Sequence, residues 1–433
     1  MTHFKDKKVL IMGLGLHGGG LGATKFFCGQ GANVLVTDLK TKEQLKKPLN
    51  KLKGFKIKYV LGGHREKDFV DADLIIKNPD VPVSSPYLEI ARKNNIEIET
   101  DVSLFFKLSD AFIIGVTGTK GKSTTASLIY HLLKLKYKKL FLAGNIGLSP
   151  LEILGKVKPN DKVVLELSSF ELENLKQSPN IAVITNILPD HLNRYTSMFE
   201  YINSKKPIFQ YQNKNDILVL NDDDYIVRQM EKEANSKVRF FTEKYAMLDG
   251  LKIFGQHNKA NIAAAVEVAK LMGVEEKIIK KLLKSFKGVP SRQEFIGEVK
   301  GVKYFNDTTA TMPEAVITAI KSFSGKFFRA NLIFILGGQN KGLDYLELAK
   351  EIKEKVVGVV MLPGTASDKI KEHLLNYKNL YEVCSMDEAV KKAKELSLPG
   401  DVVVLSPGAA SFNLFKNEFD RGDQFVKFVK KLK

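Results

Sequence analysis

Ala111-Phe-Ile-Ile-Gly-Val-Thr-Gly-Thr-Lys-Gly-Lys-Ser-Thr-Thr125 is the stretch around which the rest of the chain is read. The apolar run Ala111 to Val116 predicts a buried strand. Gly118, Thr119, Lys120 and Gly121 make a tight turn, and Lys122, Ser123 and Thr124 open an amphipathic helix. A glycine-rich turn leaves backbone N–H groups facing phosphate oxygens, and a helix N-terminus adds partial positive charge. Lys122 can then reach the outer phosphates while the Ser123 hydroxyl ligates Mg²⁺. In the ordinary G-x-x-x-x-G-K-S spacing the first glycine would fall on Val116, whereas this loop is the shorter Gly118-x-x-Gly121-Lys122-Ser123. A merely structural glycine-rich connection is the bland alternative. Strand, glycines, Lys-Ser and helix in that order favour nucleotide binding.

At 433 residues the chain exceeds one ordinary core, and about two to four domains are expected. Hydrophobic residues at 44% and charged residues at 27% describe a globular chain, not a disordered one. The net charge of +18 comes mostly from lysines spread along the sequence. No Arg-rich block with interleaved aromatics occurs, so no nucleic-acid partner is expected. Solvated lysine faces and sites for polyanionic substrates account for the charge. Cys28 and Cys384 stand alone without a C-x-x-C, which argues against a zinc site or a disulfide framework. The chain enters a strand within a few residues, leaving no room for a signal peptide. No apolar run approaches about 20 residues, so no membrane partner is expected and a cytoplasmic setting fits.

Before the phosphate loop, Lys8 to Met12 predicts a strand, followed by Gly13-Leu-Gly-Leu-His-Gly18, a helix ending near Gly29, and a strand from Asn33 to Thr37 that reaches Asp38. Taken alone this is a dinucleotide fingerprint, with an acidic residue about 20 positions on that could hold a ribose hydroxyl. Further strands around Lys58 to Leu61 and Asp73 to Ile76 extend a parallel sheet. Asn78-Pro-Asp-Val-Pro82 is then a loop at a strand's carboxyl end, where α/β sheets place ligands. Asn95 to Leu108 reads as a crossover into the next domain.

After the loop, Leu140-Phe-Leu-Ala-Gly-Asn-Ile-Gly147 is a strand running into a turn that exposes Asn145. Lys162-Val-Val-Leu-Glu-Leu-Ser-Ser-Phe170 is a buried strand carrying Glu166 near its end, a typical Mg²⁺ position beside a phosphate loop. Ile181 to Asn186 is another core strand, leading into Ile187-Leu-Pro-Asp-His-Leu-Asn-Arg-Tyr195. His191 there, beside Asp190 and Asn193 in a polar loop, is a candidate ligand. Asn215 to Leu220 is a further strand, and Gly255-Gln-His-Asn-Lys-Ala-Asn261 opens an alanine-rich helix that His257 and Asn258 could cap. From about Pro290 the pattern restarts, with strands near Val302 to Phe305, Leu332 to Leu336, Val356 to Met361 and Val402 to Leu405.

The short phosphate loop, Gly-Asn-Ile-Gly at 144–147, Glu-Leu-Ser-Ser-Phe at 166–170 and Asp-His-Leu-Asn-Arg-Tyr at 190–195 resemble the Mur ligases, three-domain ATP-dependent amide ligases. The resemblance covers essentially the whole chain. It implies an α/β fold of three doubly wound domains: Rossmann-like over 1–108, P-loop ATPase-like over 109–289 and Rossmann-like over 290–433. Ser197-Met-Phe-Glu-Tyr201 and the tail Leu405-Ser-Pro-Gly-Ala-Ala-Ser-Phe412, with Phe415-Lys-Asn417 and Arg421-Gly-Asp-Gln-Phe425, are similar to the branch that joins D-glutamate to UDP-N-acetylmuramoyl-L-alanine. The Asp-Asn-Pro-Arg motif of the diaminopimelate- or lysine-adding branch is absent. A monomer is expected.

Residue by residue, the resemblance implies that Gly118 to Thr124, with Asn261, Arg292 and Asp307, bind ATP, Asn261 at the adenine and Asp307 at the ribose. Ser123, Glu166, His191 and Lys205 would hold two Mg²⁺ ions, Lys205 as a carbamate, with Lys206 a competitor for that modification. Lys122, Glu166, His191 and Lys205 would be catalytic. Leu16, His17, Asp38, Leu39, Asn145 and Ser168 would meet the UDP-linked substrate. Thr311, Lys341, Ser411 and Phe419 would meet D-glutamate. Several positions depart from the family pattern: Ser291 replaces a histidine, Thr309 replaces a lysine, Glu418 displaces the pocket aromatic to Phe419, and Asn78-Pro79-Asp80 replaces Ser-Pro-Gly.

The expected chemistry has two steps, acyl phosphate formation from ATP and then attack by the amino acid's amine. Three rivals stand beside it. A sister ligase would use another amino acid or a folate, a nicotinamide dehydrogenase would rest on the first fingerprint alone, and a non-enzymatic nucleotide- or nucleic-acid-binding module would rest on the charge.

Overall fold

The computed structural model describes residues 4–15, 19–173, 175–190, 194–245, 251, 257–324, 330–411 and 414–432. Leu16, His17, His191 and Asn193 lie outside the described residues, as does the side chain of His257.

Three sheets organise the chain, as expected for three doubly wound α/β layers. The first contains β1 (Lys8–Met12), β2 (Asn33–Asp38), β3 (Ile57–Leu61), β4 (Leu74–Lys77) and β5 (Glu97–Glu99), all parallel in the order β3-β2-β1-β4-β5. The second contains β6 (Phe112–Thr117), β7 (Leu140–Gly144), β8 (Lys162–Glu166), β9 (Ile181–Ile184), β10 (Ile217–Asn221) and β11 (Lys237–Phe241), parallel in the order β11-β10-β9-β6-β8-β7. The third contains β12 (Glu294–Val299), β13 (Val302–Asn306), β14 (Leu332–Gly337), β15 (Gly358–Leu362), β16 (Leu380–Glu382) and β17 (Val402–Leu405), in the order β12-β13-β17-β14-β15-β16. There β12 alone runs antiparallel, closing the edge as a hairpin on β13.

Parallel sheets need both faces covered, so their central strands are apolar on both sides. In β1, Val9 and Ile11 enter one core and Leu10 and Met12 the other. In β17, Val402 and Val404 face one core while Val403 and Leu405 face the other. Those central strands are the ones the sequence pattern reveals. The stretch Asn95 to Leu108, expected as a crossover, instead holds the edge strand β5 and the helix Asp101–Leu108. Thr100 and Ser103 cap that helix reciprocally. Also, the run from Lys162 ends as strand at Glu166, and Ser169–Leu172 is a short helix.

The first two sheets, with residues 260–279, make one compact unit, and Lys280–Lys433 form the body of a second. The two are described separately below. No described helix is long and apolar enough to cross a membrane.

The second unit is tied together at Arg421, which lies fully buried in the helix Glu418–Lys430. Its Nε donates to Thr308 Oγ1 at 3.1 Å, Nη1 to the Ala409 carbonyl at 3.1 Å and Nη2 to the Thr308 carbonyl at 2.9 Å. Burial pushes its pKa down to about 10, so the cation survives at neutral pH on oxygen dipoles. Truncation to alanine would leave buried carbonyls unpaired and open a cavity. Arg421→Ala is expected to destabilise this unit by about 3 kcal/mol, read as a lower urea midpoint for its unfolding.

Candidate active site

The phosphate loop joins β6 to the helix Lys122–Leu133, with Gly121 in the N-cap position. Gly118 and Gly121 have φ of +145° and +84°, a region that side chains disfavour. Space is also closed, since a Cβ on Gly118 would strike Thr185 Oγ1 and one on Gly121 would strike Asn261 Oδ1. The loop is laced to the end of β9. Thr119 N donates to the Asn186 carbonyl at 2.9 Å, Lys120 N to Asn186 Oδ1 at 2.9 Å, and Asn186 Nδ2 returns a bond to the Lys120 carbonyl at 3.0 Å. Thr119 Oγ1 lies 3.0 Å from Tyr201 OH and accepts from Leu188 N at 2.9 Å. Lys120 pairs with Asp190 at 3.2 Å.

Two ammonium groups meet at this loop. Lys122 Nζ donates to the carbonyls of Gly118 and Thr119, both at 2.9 Å, and Lys205 Nζ reaches the same Gly118 carbonyl at 3.2 Å. Lys205 is 1% exposed and lies 4.6 Å over the Tyr201 ring. Burial first, then repulsion from Lys122, pulls its pKa down to about 7, against the pull of Asp190. It is therefore substantially a neutral, nucleophilic amine near pH 7. Lys206, its neighbour, is instead paired with Glu233 at 2.7 Å and turned away from this loop.

Glu166 ends β8 beside β6 and is 1% exposed. Its Oε1 accepts from Asn145 Nδ2 at 3.0 Å, and the Asn145 N–H donates to the Glu166 carbonyl at 2.9 Å, so Asn145 and Glu166 form one element. Glu166 Oε2 is buried and has no hydrogen-bond partner among the described residues. An orphaned carboxylate oxygen at a strand end next to a phosphate loop suits a hard divalent cation, for which oxygen donors are the preferred chemistry. Ser123, 8% exposed at the start of the helix, offers a second oxygen. The sequence-expected Mg²⁺ therefore fits these residues. Nearby, Glu171 is fully buried and its pKa rises to about 8, mainly by desolvation and then by the charge of Asp101. Ser168 gives both its N–H (2.6 Å) and its hydroxyl (2.7 Å) to Glu171 Oε2, the capping box of the helix Ser169–Leu172. The Ser168 hydroxyl, a candidate substrate contact, is thus employed in capping.

In the first sheet, Asp38 ends β2 with its carboxylate committed to backbone. Oδ2 accepts from Leu14 N at 2.9 Å and Gly15 N at 3.4 Å, and Oδ1 accepts from Lys40 N at 2.9 Å. It shapes the glycine-rich turn, while Leu39 beside it is 69% exposed and offers an apolar face. The Asn78–Pro82 loop after β4 is gripped by Arg194, whose role no sequence signal revealed beyond its place in the 190–195 motif. Arg194 Nη1 donates to the Asp80 carbonyl and Nη2 to the Pro79 carbonyl, each at 3.1 Å. Its guanidinium lies 3.9 Å over the Phe170 ring and bonds Glu173 at 3.2 Å, which also accepts from Tyr195 OH at 2.7 Å. A loop carrying Asp80 is thereby held by its carbonyls from the segment that follows His191.

Asn261 belongs to the first unit, 3% exposed, with its Oδ1 accepting from Thr125 Oγ1 at 3.3 Å beside Gly121. In the second unit, Asp307 is 4% exposed at the end of β13, accepting from Gln293 N at 3.1 Å and Ser406 Oγ at 2.7 Å. Desolvation pushes its pKa up to about 7. Arg292 sits between Ser291 and Gln293, both at positive φ, and its charge acts on Asp307. Lys341 and Thr311 come together, Nζ to Oγ1, at 3.2 Å. Thr309 turns its hydroxyl to the Ser291 carbonyl at 2.9 Å. Ser411 is buried, and Phe419 is 55% exposed on the first turn of the last helix.

Three family models match the chain: the Mur ligase MurD-like N-terminal domain over residues 7–100, the Mur ligase middle domain over 116–249, and the Mur ligase glutamate ligase domain over 291–408. A UDP-N-acetylmuramoylalanine--D-glutamate ligase from Roseiflexus sp. is 39% identical, with 98% of both chains covered. Another of that name from Borreliella burgdorferi is 36% identical over 100% of this chain and 99% of its own. Among solved structures, UDP-N-acetylmuramate-alanine ligase from Thermotoga maritima aligns with a TM-score of 0.60 at 21% identity, covering 99% of this chain and 100% of that one. A MurF ligase from Thermotoga maritima, in complex with ADP, aligns with a TM-score of 0.55 at 20% identity, over 99% and 96% of the two chains. These structural likenesses speak for the fold.

Two outcomes check the site. Gly121→Ala forces a side chain into the left-handed region and onto Asn261, and is expected to raise the Kd for ATP roughly tenfold by calorimetry, the equivalent of about 1.4 kcal/mol. The folded-state pKa of Glu171 lies above its unfolded value, so the native state holds a proton that the unfolded state has released. Stability from this group therefore falls as pH rises through the window from about 4.5 to about 8. Glu171→Gln should flatten the decline of the urea midpoint across that window. An unchanged slope contradicts the assignment.

Proposed function

This chain belongs to the Mur ligase family, and from that premise we propose that it joins D-glutamate to UDP-N-acetylmuramoyl-L-alanine at the expense of ATP. It is an ATP-dependent carboxylate–amine ligase of peptidoglycan precursor synthesis, acting as a cytoplasmic monomer. The observation that carries the reading is the pairing of an orphaned Glu166 Oε2 with a buried, readily deprotonated Lys205 at one phosphate loop. Residues 1–108 hold the UDP-linked substrate, 109–289 hold ATP, and 290–433 hold the amino acid.

In the first step the terminal carboxylate of the nucleotide-sugar substrate attacks the γ-phosphorus of ATP, and ADP leaves. Both reactants are anionic, so the site must supply positive charge at fixed positions. Lys122 leaves the Gly118 and Thr119 carbonyls to reach the phosphates. Ser123, Glu166, His191 and Lys205 would hold two Mg²⁺ ions, which when bound would offset the repulsion between the two anions. Lys205 serves as a carbamate: a neutral amine captures CO₂, loses a proton and becomes an anionic oxygen donor, which an ammonium cannot be. Glu166 is oriented for its part by Asn145.

In the second step the amine of D-glutamate attacks the acyl phosphate carbon, and the tetrahedral adduct expels phosphate. Lys341, steadied by Thr311, pairs with the side-chain carboxylate, while Ser411 and Phe419 line the same pocket. Asp38, through its grip on the Leu14–Gly15 turn, and exposed Leu39 form the uracil end of the substrate site, with Leu16 and His17 alongside. Asn261 contacts the adenine, and Arg292 and Asp307 are nucleotide-binding residues of the second unit. The Thr309 hydroxyl, turned to Ser291 where the family has a lysine, favours a sister ligase with another amino acid as the second reading.

The test is phosphate release from ATP with UDP-N-acetylmuramoyl-L-alanine, Mg²⁺ and a panel of amino acids. Release that depends on D-glutamate is expected, whereas preference for another amino acid selects the sister ligase and no release sinks both. Lys205→Ala should lower kcat roughly a hundredfold or more, with Lys206→Ala near the parent rate. A carbamate signal from ¹³C-bicarbonate should vanish in the first variant and persist in the second.

A further inference from the structure

A cavity of about 620 Å³ opens beside β5, the edge strand of the first sheet, and none of its lining residues belongs to the phosphate loop. That volume suits a small organic ligand. Ile96 and Ile98 form one wall, and Pro207, Gln210 and Tyr211 form part of the other. The charged lining is unequal: Lys77, Arg92, Lys107 and Lys176 stand against Glu99 and Glu173.

Both carboxylates are already satisfied by protein. Glu99 is held by Lys107 and by the Ser103 hydroxyl. Glu173 takes Arg194 on Oε2 and Tyr195 OH on Oε1. The cations are less well served. Lys77 is 2% exposed, yet among the described residues its Nζ has one acceptor, the Val81 carbonyl at 3.3 Å, for three N–H donors. Arg92 spends Nη2 on the Val83 carbonyl at 2.8 Å, and Lys176, exposed at the cavity, makes no ion pair among the described residues. Burial draws the pKa of Lys77 down to about 8; Glu173 and Asp80 favour its charge, and Arg194 and Arg92 oppose it. A buried ammonium with spare donors in a concave, cationic site is completed by an anion, because low-dielectric walls focus the field into the cavity.

We propose that this cavity binds a small organic polyanion, bearing carboxylates or a phosphate, at a site distinct from the phosphate loop. Its position gives the site a route to the substrate end of the molecule. Lys77 directly precedes the Asn78–Pro82 loop, and Glu173 on the cavity wall holds the Arg194 that grips the Pro79 and Asp80 carbonyls.

Calorimetric titration of the full chain with tricarballylate and with glycerol 3-phosphate tests this, the two probes separating carboxylate from phosphate recognition. Saturable binding of at least one probe is expected. It should weaken tenfold or more in an Arg92→Gln/Lys176→Gln double variant, whose changes are exposed and leave the fold intact by circular dichroism. Lys77→Met should abolish it, and Lys122→Ala should leave it unchanged. No binding of either probe overturns the proposal. So does unaltered affinity in the double variant, or binding lost only in Lys122→Ala, which would place the anion on the phosphate loop.

Discussion

Two lysine ammonium groups converge on one backbone oxygen, the carbonyl of Gly118, and much of the active site follows from that crowding. Lys122 and Lys205 reach it from the helix that opens the loop and from the helix Met198–Lys205. Neither can be fully charged there without cost unless an anion arrives, since like charges at this range in a buried site repel strongly. The protein resolves the conflict on the Lys205 side, by lowering its proton affinity. Two chemically ordinary lysines thus differ in proton affinity because of where the fold places the second one.

That crowding is possible because the loop cannot relax. Gly118 and Gly121 occupy backbone conformations and spaces that exclude a side chain, and Thr185, Asn186 and Leu188 lace the loop to the end of β9. The same segment continues in sequence to Arg194, which holds the Asn78–Pro82 loop after β4 by two carbonyls. The grip of Arg194 ties the segment that follows β9 to the loop after β4 of the first sheet. It allows an aspartate, Asp80, to sit in a loop expected near a diphosphate, because the grip falls on its backbone and leaves the carboxylate exposed.

What was legible in the residues follows a physical division. Central strands such as β1, β6, β14 and β17 are apolar on both faces, and their runs stand out. The strands that escaped notice, β5, β11, β12 and β16, all lie at sheet edges. Glu97-Ile-Glu99 and Leu380-Tyr-Glu382 are short and partly exposed, so they carry no continuous apolar signal. Pairing with a neighbour makes them strands, and that neighbour is far away in sequence. Among site residues, Gly118 to Ser123 and Glu166 could be placed from local order alone. Arg194 and Arg421 could not, since their partners lie 114 and 113 residues distant.

The sequence by itself determined the phosphate loop, the three-sheet α/β architecture and the family, because each rests on local spacing or on apolar runs that any fold of this class must bury. Only the tertiary structure decided which of two adjacent lysines is buried against the loop and which is paired with Glu233. It also showed that Asp38 and Ser168 spend their side chains on backbone and capping, and that Lys77 faces a cationic cavity. Burial and proton affinity depend on what surrounds a side chain, and those surroundings are assembled from segments that the linear order keeps apart.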